Sequence, residues 1–156
     1  MKKLMLIIAL STFAVATNAQ KSEKESKKQV NVPETVKKSF AAAFPKVVKV
    51  KWSIEKPGEY EAEFIDGKIE SSALYDAKGK WLATETEIAQ AQLPQAVKTS
   101  LAKEFAGFKI NEVEQVESQA GISYEMEAKK GKTEYELVFD ANGKLLKKET
   151  ETEKVD

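Results

Sequence analysis

The sequence predicts an α+β fold, in which a tandem repeat of one helix plus a four-stranded antiparallel meander forms a continuous antiparallel sheet with the helices on one face. Two observations predict it. The segment YDAKGKW at residues 75–81 recurs as FDANGKL at residues 139–145, displaced by 64 positions (139 minus 75). Within each copy, the spacing of apolar residues changes from about four, typical of a helix, to two, typical of half-buried strands. A copy of roughly 60 residues is marginal as a free-standing core, so we expect the copies to share one sheet.

Each predicted helix has a proline at its start and an apolar stripe along one side. Pro33 and Pro94 suit the first turn of a helix, where the amide hydrogen that proline lacks would have no partner. Apolar residues then follow at steps of about four, namely Val36, Phe40 and Phe44 in the first copy and Val97, Leu101 and Phe105 in the second. We expect the first helix to end at Pro45 and the second near Gly107.

Four strands are predicted after each helix. In the first copy, two strands alternate apolar and polar residues, and two more cover about residues 68–76 and 80–88. The alternating apolar positions are Val48, Val50, Trp52, Ile54, Tyr60, Ala62 and Phe64. Asp66-Gly67 in the first copy and Lys130-Gly131 in the second indicate two-residue hairpin loops.

The N-terminal residues have the layout of a secretory signal peptide. Lys2 and Lys3 precede an apolar stretch at residues 4–16, and small residues follow at 17–19. We expect cleavage before Gln20 and a periplasmic or secreted location, with no membrane span left after cleavage. The alternative is an uncleaved anchor, although the apolar stretch is short for a membrane helix.

The chain divides into segments by composition and by the repeat. Lysine, glutamate and serine dominate the segment before the first helix, which therefore buries too little apolar surface to fold. The predicted organisation is a signal peptide at residues 1–19, a flexible leader at 20–31, a first repeat at 32–90, a second repeat at 91–151 and a tail at 152–156.

The composition argues against an enzyme and against a nucleic-acid binder. The chain has no histidine and no cysteine, so it lacks an imidazole base, a thiolate nucleophile and the usual ligands of zinc, copper and haem. We therefore expect no catalytic residues, no metal site and no cofactor. The 25 basic residues are all lysine and match 25 acidic ones, and signal cleavage leaves a net charge near −2, which gives no electrostatic reason to bind nucleic acid.

The repeated Asp-x-x-Gly-Lys segments are interpreted as turns. Asp76 and Asp140 can accept backbone hydrogen bonds, and Gly79 and Gly143 can supply the positive φ of a bulged three-residue loop. Calcium binding is the alternative, but it requires six or more oxygen ligands, and neither segment has the spaced acids of a calcium loop.

Hairpin register predicts an acidic face opposite the helices. With the loops given above, the predicted cross-strand pairs on that face are Glu63 with Glu70, Glu61 with Ser72, Glu127 with Glu134 and Glu125 with Glu136. Directly opposed glutamates cost a few tenths to about 1 kcal/mol on an exposed sheet. Lys51 is expected beside Glu63. The simple interpretation is a solvated charged face, and the alternative is an acidic surface for a basic partner or a cation.

An apolar strip is expected among these glutamates. A three-residue loop after Asp76 would place Tyr75 against Trp81 on the helix side and Leu74 against Leu82 on the other side, whereas a two-residue loop would turn Trp81 outward. In the second copy, the same loop places Val138 and Leu146 on the side away from the helix. The candidate partner-binding residues are Leu74, Trp81, Leu82, Glu61, Glu63, Glu70, Glu125, Glu127, Glu134, Glu136, Val138 and Leu146.

The order of these motifs resembles the PepSY-like family of beta-lactamase-inhibitor-like exported bacterial proteins. The motifs are the Val-Pro helix that ends in Phe-Pro, the strand with Val-Lys-Trp, the Tyr-Glu-Ala-Glu-Phe strand, Asp-Gly, and Tyr-Asp-Ala-Lys-Gly-Lys-Trp-Leu. The resemblance covers nearly all of residues 32–151. It implies an exported protein with a concave sheet, and inhibition of a secreted or periplasmic beta-lactamase or peptidase through that sheet. The chain departs from the beta-lactamase inhibitor in lacking cysteines.

The sequence therefore favours an exported, non-enzymatic binding module, with another exported protein as its partner. Two alternatives come from other functional classes. One is a binder of a small ligand or a divalent cation through the opposed carboxylates. The other is an accessory or sensor protein of the cell envelope.

Overall fold

The computed structural model describes residues 30–150 as one eight-stranded antiparallel sheet with two α-helices. The predicted α+β class and the single sheet are confirmed. The predicted signal peptide, the predicted tail and most of the predicted leader lie outside the described residues. Within residues 30–150, neither α-helix has the length and apolar character needed to cross a membrane.

The strands lie in the sheet in the order in which they follow along the chain. The elements are α1 (Glu34–Ala43), β1 (Val50–Lys56), β2 (Glu59–Asp66), β3 (Ile69–Asp76), β4 (Trp81–Glu87), a short 3-10 helix (Gln90–Gln92), α2 (Gln95–Glu104), β5 (Lys109–Ser118), β6 (Gly121–Lys130), β7 (Thr133–Asp140) and β8 (Leu145–Thr150). One helix followed by four strands thus occurs twice. The duplication inferred from the repeated turn segment stays a prediction.

Both helices pack on the same face of the sheet. Val36 and Phe40 of α1 are buried against β2 and β3, and Val97 and Leu101 of α2 are buried against β5, β6 and β7. The strand residues that meet them are Ala62, Phe64, Ala73 and Tyr75 in the first half, and Val113, Tyr124, Met126, Ala128, Leu137 and Phe139 in the second. Strand register puts all of these residues on one side, so the sheet has a helix face and an uncovered face.

The Asp-x-x-Gly-Lys segments form the predicted turns. Asp76 Oδ1 accepts the backbone N–H groups of Lys78 at 2.8 Å and Lys80 at 2.9 Å, and Gly79 has a φ of 81°. Asp140 repeats this arrangement with Asn142 and Lys144, each at 2.9 Å. The aspartate oxygen is therefore used to close the turn, as the turn interpretation requires.

The hairpin loops lie one residue later than predicted. The first loop is Gly67-Lys68 and not Asp66-Gly67, because Asp66 pairs with Ile69. Gly67 has a φ of 67°, and it occupies the first loop position, where a type II′ turn needs a positive φ. The second loop is Gly131-Lys132 and not Lys130-Gly131, because Lys130 pairs with Thr133. Gly131 has a φ of 61°.

This correction keeps each side chain on its predicted face but changes its partner. The predicted glutamate pairs are wrong, since the observed pairs are Glu63 with Ser72, Glu61 with Leu74, Glu127 with Glu136 and Glu125 with Val138. A shift of two residues preserves the face because side chains alternate with a period of two.

The fourth strand of each half contains a β-bulge. Tyr75 pairs with Trp81 as predicted, but Leu74 pairs with Ala83 and not with Leu82. In the second half, Val138 pairs with Lys147 and not with Leu146. A bulge inserts one unpaired residue into a strand. Leu82 and Leu146 occupy that position, so the pairs predicted for them are wrong.

Gly143→Ala is expected to destabilise the protein more than Gly67→Ala. Both glycines have a positive φ, where alanine costs about 1–2 kcal/mol. A Cβ at residue 143 would also lie 2.5 Å from the carbonyl oxygen of Ala96 in α2, whereas a Cβ at residue 67 would meet nothing within 4 Å. Gly143→Ala should therefore lower the free energy of unfolding by more than about 2 kcal/mol, and Gly67→Ala by about 1 kcal/mol.

Urea denaturation of the two variants measures the difference. Equal losses would show that the turn does not pack against α2 as closely as the structure indicates.

Candidate functional site on the open face of the sheet

The face of the sheet opposite the helices, here called the open face, is formed by every second residue of the strands. Strand pairing places one row of side chains directly side by side from β4 to β8, namely Glu87, Glu114, Glu125, Val138 and Lys147. Glu85 lies two residues before Glu87 on β4 and faces the same way. The fold thus brings together acidic side chains from strands that are distant in sequence.

A β-bulge at Glu112 determines which residues of β5 reach the open face. Pairing is irregular between Asn111 and Glu114. Glu112 has a φ of 43°, a left-handed conformation that is uncommon for residues other than glycine. Because the bulge adds one residue, Ile110 and Val113 both join the core on the helix face, and Glu114 is turned to the open face.

Buried carboxylates are the main feature of the open face. Five glutamates there are only 1–8% exposed, namely Glu61, Glu125, Glu127, Glu134 and Glu136. The simple interpretation of a solvated charged face is therefore wrong. Glutamate is rarely buried to this extent without a partner. The two α-helices within residues 30–150 pack on the other face, so these side chains are buried without a helix over them.

Many carboxylates of the open face, buried and partly exposed, have partners. Lysine Nζ atoms contact Glu63 (Lys51, 3.0 Å), Glu134 (Lys129, 2.9 Å), Glu136 (Lys147) and Glu149 (Lys147, 3.3 Å). Serine hydroxyls donate to Glu61 (Ser53, 2.8 Å) and Glu85 (Ser72, 3.0 Å). The predicted contact of Lys51 with Glu63 is confirmed.

Glu85, Glu114 and Glu125 are held differently, since none of the ion pairs within residues 30–150 includes them. Burial, together with the charges of neighbouring carboxylates, raises the pKa of Glu85 to about 8 and the pKa of Glu114 to about 7. Burial, then the charge of Glu136, raises the pKa of Glu125 well above its ordinary value of 4.5. Neither side-chain oxygen of Glu125 has a hydrogen-bond partner in the described part of the chain.

The predicted apolar strip is present but mostly buried. Leu74, Ala83 and Val116 form a small buried cluster on the open face, and Leu82 packs against it while staying partly accessible. Val138 is also buried, with 6% of its surface exposed. Of these side chains, Leu82 is the one that a partner could contact directly.

The remaining candidate residues lie away from this strip. Trp81 is half-buried on the helix face, where its Nε1 donates to Thr84 Oγ1 at 2.9 Å. Leu146 is 54% exposed at the bulge of β8. Glu70 is exposed near the start of β3, opposite Ile65. The structure therefore does not bring Trp81 and Leu82 onto one surface.

Sequence reasoning missed Glu85 and did not single out Glu114 as a site residue. Their position depends on the pairing of β4 with β5, which joins the two halves of the sheet. Residues 88–108 separate these strands, so no short loop fixes their register. The alternation in Thr84-Glu85-Thr86-Glu87 could have shown that Glu85 and Glu87 share a face.

A groove of about 870 Å³ lies on the open face and is lined by residues from β1 to β5. Seven glutamates and two lysines line it, so its walls are acidic. Glu85 and Glu114 belong to the walls, and Glu125 is the direct cross-strand neighbour of Glu114. This arrangement can accept hydrogen bonds from a cationic group or, when protonated, donate them.

Comparison with protein families places the chain in a known group. The family model described as "Putative beta-lactamase-inhibitor-like, PepSY-like" matches residues 58–147, which is more than half of the chain. This agrees with the family that the sequence motifs resemble. No curated protein matches the chain significantly.

Solved structures from Bacteroides have a similar fold. A putative periplasmic protein of Bacteroides eggerthii has a TM-score of 0.72 at 18% identity, covering 78% of this chain and 90% of that one. A DUF2874 family protein of Bacteroides ovatus has a TM-score of 0.71 at 22% identity, covering 78% and 89%. A BLIP-like protein of Bacteroides fragilis has a TM-score of 0.68 at 23% identity, covering 82% and 92%. At these identities, the likeness shows the fold.

Raising the pH is expected to destabilise the protein through its buried carboxyl groups. With a pKa of about 8 for Glu85 and about 7 for Glu114, the folded chain keeps protons that the unfolded chain has already released above its ordinary pKa of 4.5. The stability linked to these protons is full below about pH 4.5 and is lost as the pH rises through 7 and 8. Within this window, the free energy of unfolding should fall by on the order of 1 kcal/mol per pH unit and group.

Urea denaturation from about pH 5 to pH 9 measures this decline. Glu85→Gln should flatten it and stabilise the protein at pH 9, because the amide fills the same space and has no proton to lose. Glu117 on β5 is exposed, so Glu117→Gln is the matched control and should leave the profile unchanged. If Glu85→Gln left the pH dependence of stability unchanged, the raised pKa assigned to Glu85 would be contradicted.

Proposed function

The chain belongs to the PepSY-like, beta-lactamase-inhibitor-like family, and on this basis we propose that it is an exported, non-enzymatic module that binds another exported protein through the open face of its sheet. The observation that carries the proposal is the form of that face. It combines a partly accessible leucine, Leu82, with a buried apolar cluster in which Leu74 and Val116 are the cross-strand neighbours of Glu61 and Glu85. An apolar anchor within a polar rim is a common form of protein-binding surface.

The absence of histidine and cysteine supports a binding role. Without histidine or cysteine, the chain has no side chain whose ordinary pKa suits acid–base or nucleophilic catalysis near neutral pH. The buried carboxyl groups of the open face are spread over several strands. The acidic groove beside them opens to solvent.

Inhibition of a hydrolase is the specific form of binding that the family suggests. The family description names beta-lactamase-inhibitor-like proteins, and one structural neighbour is a BLIP-like protein of Bacteroides fragilis. We propose a periplasmic or secreted beta-lactamase or peptidase as the target. An exported location is supported by the signal-like N-terminal sequence and by the neighbour described as periplasmic.

Leu82→Lys is expected to abolish partner binding while leaving the fold intact. Leu82 lies at the bulge of β4 and packs only partly against the apolar cluster, so a lysine there can extend into solvent. The matched control is Ile122→Lys, since Ile122 is 48% exposed and lies on the helix face of β6. Leu74→Lys is less informative because Leu74 is buried, and its loss of binding could follow from unfolding.

The experiment captures partners from an envelope extract on the immobilised mature protein and assays the extract for beta-lactamase and peptidase inhibition. The native protein and Ile122→Lys should retain the same partner and inhibit the same activity, whereas Leu82→Lys should lose both. If Leu82→Lys still captured the partner, the open face would not be the binding surface. Binding without inhibition of either hydrolase class would leave a binding module that is not an inhibitor.

A further inference from the structure

Glu125 is the most unusual side chain of the open face. It is 1% exposed, and neither of its carboxyl oxygens has a hydrogen-bond partner in the described part of the chain. Burial of a carboxyl group without hydrogen bonds is unfavourable, because the group loses its contacts with water and gains none in the protein. The fold keeps this group in place although a leucine of similar size would fill the position without that cost.

The charges around Glu125 come from every neighbouring strand. Glu114 faces it from β5, Glu85 from β4 and Glu136 from β7, and each raises the pKa of the Glu125 carboxyl group. Lys147 of β8 lowers it, but the Nζ of Lys147 is already paired with Glu136 and Glu149. Glu127, which follows two residues later on β6, adds another carboxyl group on the same side. No positive charge is therefore paired with Glu125.

The acidic groove gives a ligand access to this cluster. Glu85 and Glu114 line the groove, and both stay partly accessible. Glu125 adjoins Glu114 across the β5–β6 ladder. A ligand group that enters the groove would meet Glu85 and Glu114 first and would find the unsatisfied oxygens of Glu125 behind them.

We propose that Glu85, Glu114 and Glu125 form a binding site for a basic side chain of the partner protein, a lysine ammonium or an arginine guanidinium group. This proposal rests on the proposed function of the open face and specifies the chemistry of the partner. A donor with several N–H groups can satisfy carboxyl oxygens on neighbouring strands at once. The acidic lining of the groove is complementary in charge to a basic segment of a protein.

A divalent metal ion fits these residues less well. Calcium and magnesium need several oxygen ligands within about 2.0–2.6 Å of one point. Within residues 30–150, no group of three or more acidic residues has the spacing to hold a metal ion. An ammonium or guanidinium group reaches its acceptors at hydrogen-bond distances of about 2.7–2.9 Å and tolerates a wider spacing.

Binding of a cation is expected to release protons from this site. With the pKa of Glu85 at about 8 and that of Glu114 at about 7, both groups are partly protonated at neutral pH. A cation binds the ionised forms, so it displaces these protons. The affinity should therefore rise with pH, by about tenfold per pH unit for each proton displaced, and should level off only above the pKa of Glu125, the most strongly raised of the three.

Isothermal titration calorimetry with a blocked hexalysine peptide tests the proposal. The peptide should bind the native protein, with an affinity at about pH 8 at least tenfold higher than at about pH 6, and with proton release seen as a heat that depends on the buffer. Glu125→Gln and Glu114→Gln should each weaken binding about tenfold and reduce the proton release. Glu117→Gln removes the same charge from an exposed position of β5 and should have little effect.

Three outcomes would overturn the proposal. They are equal weakening by Glu117→Gln and Glu125→Gln, tighter binding of calcium or of free spermidine than of the peptide, and no binding of the peptide at either pH. Unfolding curves of each variant show whether it is folded. Glu125→Gln and Glu114→Gln should stabilise the protein at alkaline pH.

The envelope capture experiment separates this proposal from the proposed function. If Leu82→Lys loses the partner and Glu125→Gln keeps it, the open face binds a protein but the basic-side-chain site is wrong. If the native protein captures and inhibits nothing while hexalysine binds with proton release, the cluster binds cations but the proposed function is wrong.

Discussion

Burial of carboxyl groups, on the face of the sheet that neither α-helix of residues 30–150 covers, is the constraint that shapes the open face. The helix face holds a conventional apolar core, in which Val36 and Phe40 of the first helix and Val97 and Leu101 of the second are buried against the strands. That core supplies the stability that lets the open face carry groups as costly as Glu125.

The position of each carboxylate follows from strand register and bulges. The bulge at Glu112 turns Glu114 outward, and the pairing of β4 with β5 places Glu85 within the same cluster. Lysines neutralise the carboxylates at the edges of the cluster, such as Lys51 beside Glu63 and Lys147 beside Glu136. The centre is left with carboxyl groups whose pKa is raised to near neutral or above, and the proposed recognition of basic groups rests on them.

The fold could be predicted from the sequence to the level of elements, order and faces. Local sequence signals were sufficient to predict the elements. Apolar residues spaced about four apart from Val36 indicate a helix, and apolar residues at every second position from Tyr60 indicate a strand. Register was wrong by two residues at Gly67, since a glycine that follows Asp66 suits more than one two-residue loop. Glu125 was among the predicted site residues, but Glu85 and Glu114 were missed, because their place beside it depends on β4–β5 pairing across a long connection. Their burial is likewise not revealed by a strand pattern of alternating glutamates.

Titration of the glutamate side-chain carboxyl carbons by ¹³C nuclear magnetic resonance, with assignments from single Glu→Gln variants, tests the central claim most directly. The account predicts that the Glu85, Glu114 and Glu125 carboxyl groups of the folded protein titrate near neutral pH or above. Titration of all these groups near 4.5 would show that the open face is solvated and would contradict the account.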